Sequence, residues 1–294
     1  MKARLQEGRF ERTSNECLGG SMATARLSFS GYASGEAATR ESNIAERVVM
    51  MCASALFSGL TKDECREIAS CARARSFARD ELLFAQGQSA RNLVMIQTGS
   101  VKLSQLSPNG NEVILRMTGS GDPVGMPADT ASCSHSCSAR AMEQCHTLVW
   151  EYSRLQGLLA QYPQIGRNIS QILSNQLTEL QERFREVATE KVAQRVALAL
   201  LRLIKQVGKP AKGGVEVSLS REELAQMTGT TLFTISRLLS KWGEEGFVLP
   251  KREAVVVLDS RRLGQVSEGD DEGASDSVRP SPMSTSKLTP SFAI

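Results

Sequence analysis

The spacing of apolar positions changes character twice along the chain. From Ile44 onward a short helix is expected over Ala45 to Leu56. Thr61 and Glu64 then form an S/T-x-x-E capping box that opens a helix through Ile68 and Ala72. Past about Arg75 the pattern turns to short β-prone runs: Leu82-Leu83-Phe84, Leu93 to Ile96, Val101-Lys102-Leu103, Val113-Ile114-Leu115 and a last strand at Leu148-Val149-Trp150. Gly87, Gly99, Gly110 and Gly121 punctuate them every 11 or 12 residues, and Pro108-Asn109-Gly110 is a hairpin signal. Short strands with turns at that spacing predict a jelly-roll type sandwich or barrel.

After Tyr162-Pro163 the period becomes helical. Leu173, Leu177, Leu180, Phe184 and Val187 follow a 4-3-4-3 spacing, an a/d seam of about two heptads. Gln171, Gln181, Glu182 and Arg185 surround it, which favours a dimerisation helix; the alternative is a helix packed on its own domain. A second helical run, Val192 to Ile204, places Val196, Leu200 and Leu203 on one face and reads as a core helix. Residues 1–44 and 267–294 show no sustained period and read as a disordered leader and tail, with Met22 and Met50 as alternative starts.

The chain has 294 residues, enough for about two domains. Its net charge is only +3, so a nucleic-acid surface has to be a local patch. Aromatic residues make up 5%, too few for a base-stacking single-strand binder. The longest apolar stretch, Val48 to Phe57, is about half of what a membrane span requires. An odd number of cysteines, seven, argues for reduced thiols and a cytoplasmic protein.

The most informative stretch is Ser220 to Phe247. Ser220 and Glu223 make a second capping box; Leu224 and Met227 give that helix an apolar side; Thr228-Gly229-Thr230 interrupts it. A second helix, capped by Thr230 or Thr231, carries Leu232, Ile235, Leu238, Leu239 and Trp242 on its buried side. Thr231, Thr234, Ser236, Arg237, Ser240 and Lys241 lie on the other. Two short helices joined by a glycine turn predict a helix-turn-helix whose second helix enters the major groove. Hydroxyls suit phosphates and base edges, and Arg237 suits a guanine. Phe247 to Leu249 and Ala254 to Leu258 predict a hairpin, a wing with Lys251 and Arg252 at its tip. Between Thr189 and Gln265 thirteen basic residues face eight acidic ones, an excess larger than the net charge of the whole chain.

Residues 45–265 resemble the CRP/FNR superfamily of bacterial transcription regulators. The resemblance rests on Leu56-Phe57-x-x-Leu60, on glycine-punctuated strands ending at Gly121-Asp122-Pro123-Val124-Gly125, on the long helix, and above all on the run Leu224-Ala225 through Thr228-Gly229-Thr230-Thr231 to Thr234-Ile235-Ser236-Arg237-Leu238-Leu239. It implies an α+β architecture: an N-terminal double-stranded β-helix (jelly-roll) sensor domain of the cyclic-nucleotide-binding type over 45–155, a dimerisation helix over 156–188, and a C-terminal winged helix-turn-helix over 189–266. The expected function is a signal-responsive homodimer on a near-palindromic DNA operator, with RNA polymerase as partner if it activates. The alternatives are a constitutive regulator with a vestigial sensor, or an interaction module that does not bind DNA. DNA contacts are expected from Ser220, Thr230, Thr231, Phe233, Thr234, Ser236, Arg237, Lys241, Lys251 and Arg252. An enzyme is not expected: no nucleophile–base pair or phosphate loop is present, and both histidines lie near one cysteine patch.

The sequence departs from its relatives in three places. Where the family's pocket resembles a Gly-Glu-Leu loop and an Arg-Ser pair, this chain has Gly125-Met126-Pro127-Ala128 and Cys137-Ser138. Both charged contacts to a cyclic nucleotide are lost, so cyclic AMP is not expected as the effector. The iron–sulfur branch resembles a leader with three close cysteines; here Cys17 stands alone, so a 4Fe-4S cluster is not expected. The effector is left unknown, with haem and metal both open. Cys133, His135, Cys137 and Cys145 form the one chemical candidate, for a redox or metal event, against a bland reading as loop or packing residues. The spacing is not that of a known zinc site, and Cys52, Cys65 and Cys71 read as buried apolar residues. Finally, Phe233 stands where relatives often carry a glutamate. It cannot accept from cytosine, but it can touch a thymine methyl.

Overall fold

The computed structural model describes residues 44–125 and 134–269. Met22, Cys17, Met126, Cys133 and nearly all of the expected leader and tail lie outside the described residues.

Helix α1 covers 44–53, and a 3-10 turn at Ala55–Phe57 follows, with the Leu56 amide donating to the Ser54 hydroxyl. Helix α2, Lys62–Ser70, starts at the Thr61–Glu64 capping box, with the Thr61 amide donating to the Glu64 carboxylate at 2.7 Å. Eight strands come next: β1 (Arg73–Phe77), β2 (Leu82–Phe84), β3 (Asn92–Thr98), β4 (Val101–Leu106), β5 (Glu112–Thr118), β6 (Pro123–Val124), β7 (Ser138–Ala141) and β8 (Cys145–Glu151). They form two antiparallel four-stranded sheets, ordered β1-β8-β3-β6 and β2-β7-β4-β5. Apart from the β4–β5 hairpin, consecutive strands alternate between the sheets, in the manner of a jelly roll.

Strand β3 is apolar on both faces, and the side-chain period of two explains why. Val94 and Ile96 point between the sheets, where Phe77, Phe84, Val101, Ala139 and Val149 meet them. Leu93 and Met95 point the other way, into a layer of helices with Phe57, Ile68, Trp150, Leu155 and Ile165. The Trp150 indole donates to the Ile68 carbonyl at 3.0 Å, tying the two layers together. Of the cysteines expected to be buried, Cys65 is buried and Cys71 half-buried. Cys52 is exposed, because it falls on the outer side of α1.

The helical region is divided at Tyr162-Pro163 into α3 (Tyr152–Gln161) and α4 (Pro163–Thr189). Proline lacks an amide hydrogen and disfavours helical backbone in the residue before it, so Tyr162 takes φ −122° and ψ 76°. The long helix therefore begins at 163 and not at 156, and it spans 27 residues, about 40 Å. Asn168 fixes its first half by donating to the Leu56 and Ser58 carbonyls, both at 2.9 Å.

Helix α5 (Val192–Val207) buries Val196, Leu200 and Leu203 in the C-terminal core. A four-stranded sheet follows, ordered β11-β12-β10-β9, from β9 (Lys209–Ala211), β10 (Gly214–Val217), β11 (Val248–Pro250) and β12 (Val255–Val257). Pro210 sits in β9, an edge strand, where its missing donor costs nothing. Two helices lie between β10 and β11: α6 (Arg221–Thr228) and α7 (Leu232–Glu244). The last element, α8 (Ser260–Glu268), was not anticipated; it runs past the expected start of the tail at 267. Asp259 caps it, accepting from the Arg261 and Arg262 amides, and Leu263 and Val266 are buried against the C-terminal core.

Candidate DNA-binding site and its link to the sensor

Helix α6 starts at Ser220, whose hydroxyl accepts from the Glu223 amide at 3.1 Å while the Glu223 carboxylate accepts from the Ser220 amide at 2.8 Å. The helix ends at Gly229 with φ 63° and ψ 46°. No atom crowds that position, so the left-handed backbone alone calls for glycine. Thr231 caps α7, its hydroxyl accepting from the Thr234 amide at 3.2 Å. Ile235, Leu239 and Trp242 are fully buried and lock one side of α7 to the core.

The other side of α7 faces outward. Phe233, Arg237 and Ser240 are exposed, and Thr234, Ser236 and Lys241 are half-buried. The wing is the hairpin β11–β12, closed by the Lys251 amide donating to the Ala254 carbonyl at 2.8 Å. Its tip residues Lys251, Arg252 and Glu253 are exposed. Lys251 is ion-paired with Glu216 on β10. Arg252 shares a shallow depression with Ser220, Arg221, Glu222 and Leu232 at the entry to both helices. Arg221 was not anticipated as part of this surface, and Leu232, expected on the buried side, is 44% exposed because it is the first residue of α7, ahead of the turns that pack on the core. Arg221 reads as an ordinary helix residue in sequence, and only the fold brings it beside the wing. Thr230 is half-buried, and the Ser220 hydroxyl is occupied as a cap.

The expected seam residues on α4 all remain uncovered in the single chain, with exposures of 48% for Leu173, 57% for Leu177, 53% for Leu180, 76% for Phe184 and 51% for Val187. The opposite side of α4 is pinned to α5 by Arg202, which makes two bonds to the buried Glu186 carboxylate at 2.6 and 2.9 Å. Arg183 donates to the Ile114 carbonyl on β5 and to the Met227 carbonyl on α6, both at 3.2 Å. Three structural parts therefore meet at one guanidinium.

A second contact joins the sensor to the helix-turn-helix. Lys102 on β4 lies 2.8 Å from Glu223, and the two side chains are only 11% and 17% exposed. Burial alone would raise the Glu223 carboxyl. Lys102 and the Ser220 amide and hydroxyl outweigh that effect and hold it below the usual carboxylate range. The residue that closes the α6 capping box thus also anchors α6 to the sensor. Arg79 to Glu253 at 2.8 Å, and Lys209 to Glu143, add two more exposed links. Met117 of β5 inserts into the C-terminal core.

The cysteine patch is not assembled on one strand face. Ser134 makes an isolated bridge to Ser89, and β7 begins only at Ser138. His135 stacks on Phe84 with ring centroids 3.8 Å apart, and its burial lowers its pKa. Gly125 packs directly against this stack. Cys137 is half-buried and burial raises its thiol pKa. Cys145 belongs to the inter-sheet core; burial raises its pKa, and its thiol donates to the Ser100 and Glu143 carbonyls at 3.3 Å. Among the described residues no three His, Cys, Asp or Glu side chains are grouped to hold a metal ion.

Residues 74–162 match the family model of the cyclic nucleotide-binding domain, and residues 194–266 match that of the Crp-like helix-turn-helix domain. Fold and site together define a DNA-binding transcription regulator with a cyclic-nucleotide-binding-like sensor domain and a winged helix-turn-helix. The chain is 28% identical over 216 residues to the cyclic AMP receptor protein of Thermus thermophilus, covering 74% of this chain and 98% of that one. It is 26% identical over 191 residues to the CRP-like cAMP-activated global transcriptional regulator of Mycobacterium tuberculosis, covering 64% and 85%. FixK2 from Bradyrhizobium japonicum shares the fold, with a TM-score of 0.59 at 22% identity over 66% of this chain and 96% of that one. The chain belongs to the CRP/FNR superfamily of transcription regulators. No helix among the described residues is long and apolar enough to cross a membrane.

Proposed function

We propose that this chain acts as a cytoplasmic homodimer that binds a near-palindromic operator and regulates transcription through binding, not turnover. The observation that carries the reading is α7. Ile235, Leu239 and Trp242 hold it rigidly while Phe233, Ser236, Arg237 and Ser240 face out from its first three turns. The uncovered α4 seam supports pairing of two such helices, one per half-site, with half-site centres about 10–11 bp apart. RNA polymerase is the further partner if the protein activates.

The sensor responds to something other than cyclic AMP in this reading. Cys137-Ser138 offers no guanidinium to a cyclic phosphate, and the Phe84–His135 stack fills the space beside Gly125. The input then reaches DNA through β4 and β5, because Lys102 and Ile114 on those strands contact α6 or the arginine that holds it. The Cys133–Cys145 region is the candidate receiver, by thiol or metal chemistry. The test combines operator selection from random duplexes, sedimentation of the free protein, and calorimetric titration with cyclic AMP. Expected are a dimer at micromolar concentration, a selected palindrome bound with affinity that falls steeply with salt, and cyclic AMP binding no tighter than millimolar. A monomer that binds no selected duplex overturns the reading.

A further inference from the structure

Among the described residues Phe233 is the most exposed large apolar side chain, at 85%. It is the second residue of α7, and Leu232 before it is 44% exposed. Ser236 and Arg237 lie three and four residues on, so they share its helix face. The packing of Ile235, Leu239 and Trp242 prevents α7 from rolling to hide the ring.

A phenyl group has no donor or acceptor for a base edge. In the major groove the one apolar feature of a base pair is the C5-methyl of a pyrimidine, present on thymine and on 5-methylcytosine and absent from cytosine and uracil. The N-terminal residues of a recognition helix are those that reach base edges. We propose that each operator half-site presents a 5-methylpyrimidine to Phe233, beside the base pair met by Arg237, and that the protein reads the methyl itself. Thymine and 5-methylcytosine then serve alike at this position. Cytosine methylation creates a favourable site where plain cytosine is a poor one. The inference rests on the operator-binding reading above and adds the chemistry read at one base pair. A protein partner docking on Leu232 and Phe233 is the competing occupant. It is disfavoured because Thr231, Ser236, Arg237 and Ser240, which also reach the surface of this helix and its cap, carry groups suited to phosphates and base edges.

Burying one methyl group against the ring is worth about a 4-fold change in affinity per half-site and about 15-fold for a symmetric pair. The test starts from the duplex that the wild-type protein selects and replaces each thymine in turn with deoxyuridine. One position per half-site is expected to lose about 4-fold, and the symmetric replacement about 15-fold. At that position 5-methylcytosine, paired with guanine, is expected to outbind cytosine by the same factor. Phe233→Ala is expected to bind the thymine and uracil duplexes equally, and Phe233→Leu to keep part of the preference. Thermal unfolding of both variants is expected to match wild type, since the ring touches little of the protein. If no thymine-to-uracil change weakens a selected duplex by 2-fold, or if Phe233→Ala discriminates like wild type, the methyl reading is overturned and operator binding stands. If wild type selects no duplex, both fall.

Discussion

Replacing Lys102 with methionine tests whether the sensor is fastened to the helix-turn-helix by charge. The substitution keeps most of the aliphatic stem in place and removes the ammonium that lies 2.8 Å from Glu223. Removing one partner of a fully buried ion pair costs about 3–5 kcal/mol. Here the loss is smaller, because the stranded Glu223 carboxylate still accepts from the Ser220 amide at 2.8 Å and sits at the positive end of α6. With exposures of 11% and 17%, about 2 kcal/mol is expected. If the described residues unfold as one unit, that lowers the melting temperature by roughly 4–8 °C. Glu223→Gln removes the charge from the other side. The double variant leaves no uncompensated charge, so its loss should fall short of the sum of the singles by about 1–2 kcal/mol. Acidity supplies an independent check. The folded carboxyl titrates below its ordinary value, so its stabilisation is fully present above about pH 4.5 and disappears as pH falls through the folded value. The gap between wild type and Glu223→Gln should therefore begin to narrow below about pH 4.5 and close only as pH falls through the lower folded value. Calorimetry and urea titration at pH 7 and at steps through the acid range give both numbers. A Lys102→Met cost under about 0.5 kcal/mol at pH 7, with singles that simply add, would refute the claim that this pair joins the domains.

Three further outcomes are expected. Leu177→Asp combined with Phe184→Asp should sediment as a monomer at concentrations where wild type is a dimer, with little change in melting temperature, because both side chains are exposed in the single chain. Arg237→Ala should cost about 1–3 kcal/mol in operator affinity and relax selection at one base pair per half-site, whereas Lys251→Ala should weaken all duplexes about equally; equal, sequence-independent losses for both would show that Arg237 holds only phosphate. In the native protein a small alkylating reagent should modify Cys137 slowly and Cys145 not at all until unfolding, since both thiols are shifted upward by burial and Cys145 is enclosed between the sheets; mass spectrometry at pH 8 reads the order.

What was legible in the sequence was whatever short-range chemistry decides. The two capping boxes, the left-handed Gly229 and the buried stripe of α7 are set by residues within a few positions of one another, and each is where the local pattern puts it. Strands β1 and β7 were not expected, since neither has an apolar run, but β2, β3, β4, β5 and β8 were recognisable from theirs. Their pairing into two sheets was not, since β1 meets β8 across about seventy residues. The resemblance put the start of the long helix at 156, whereas the helical period begins only after Tyr162-Pro163, where the backbone breaks. The cysteine patch drew attention through the chemistry of its residue types, yet 135–137 is not strand, and Cys145 belongs to the inter-sheet core. Least visible were the interdomain contacts. Nothing about Lys102 in a β-prone run or Glu223 in a capping box indicates that they meet across 121 residues.

Arg183 differs from those ion pairs in one respect. Both of its bonds end on backbone carbonyls, of Ile114 and Met227, and neither depends on a side chain at those positions. Every residue supplies the same carbonyl, so drift at 114 or 227 leaves this joint intact provided the local backbone holds its course. The joint depends instead on the arginine, whose single nitrogen Nη2 donates to both carbonyls. A search for coevolving residue pairs would therefore pass over this three-way junction, because its arginine has no partner side chain that must change in step.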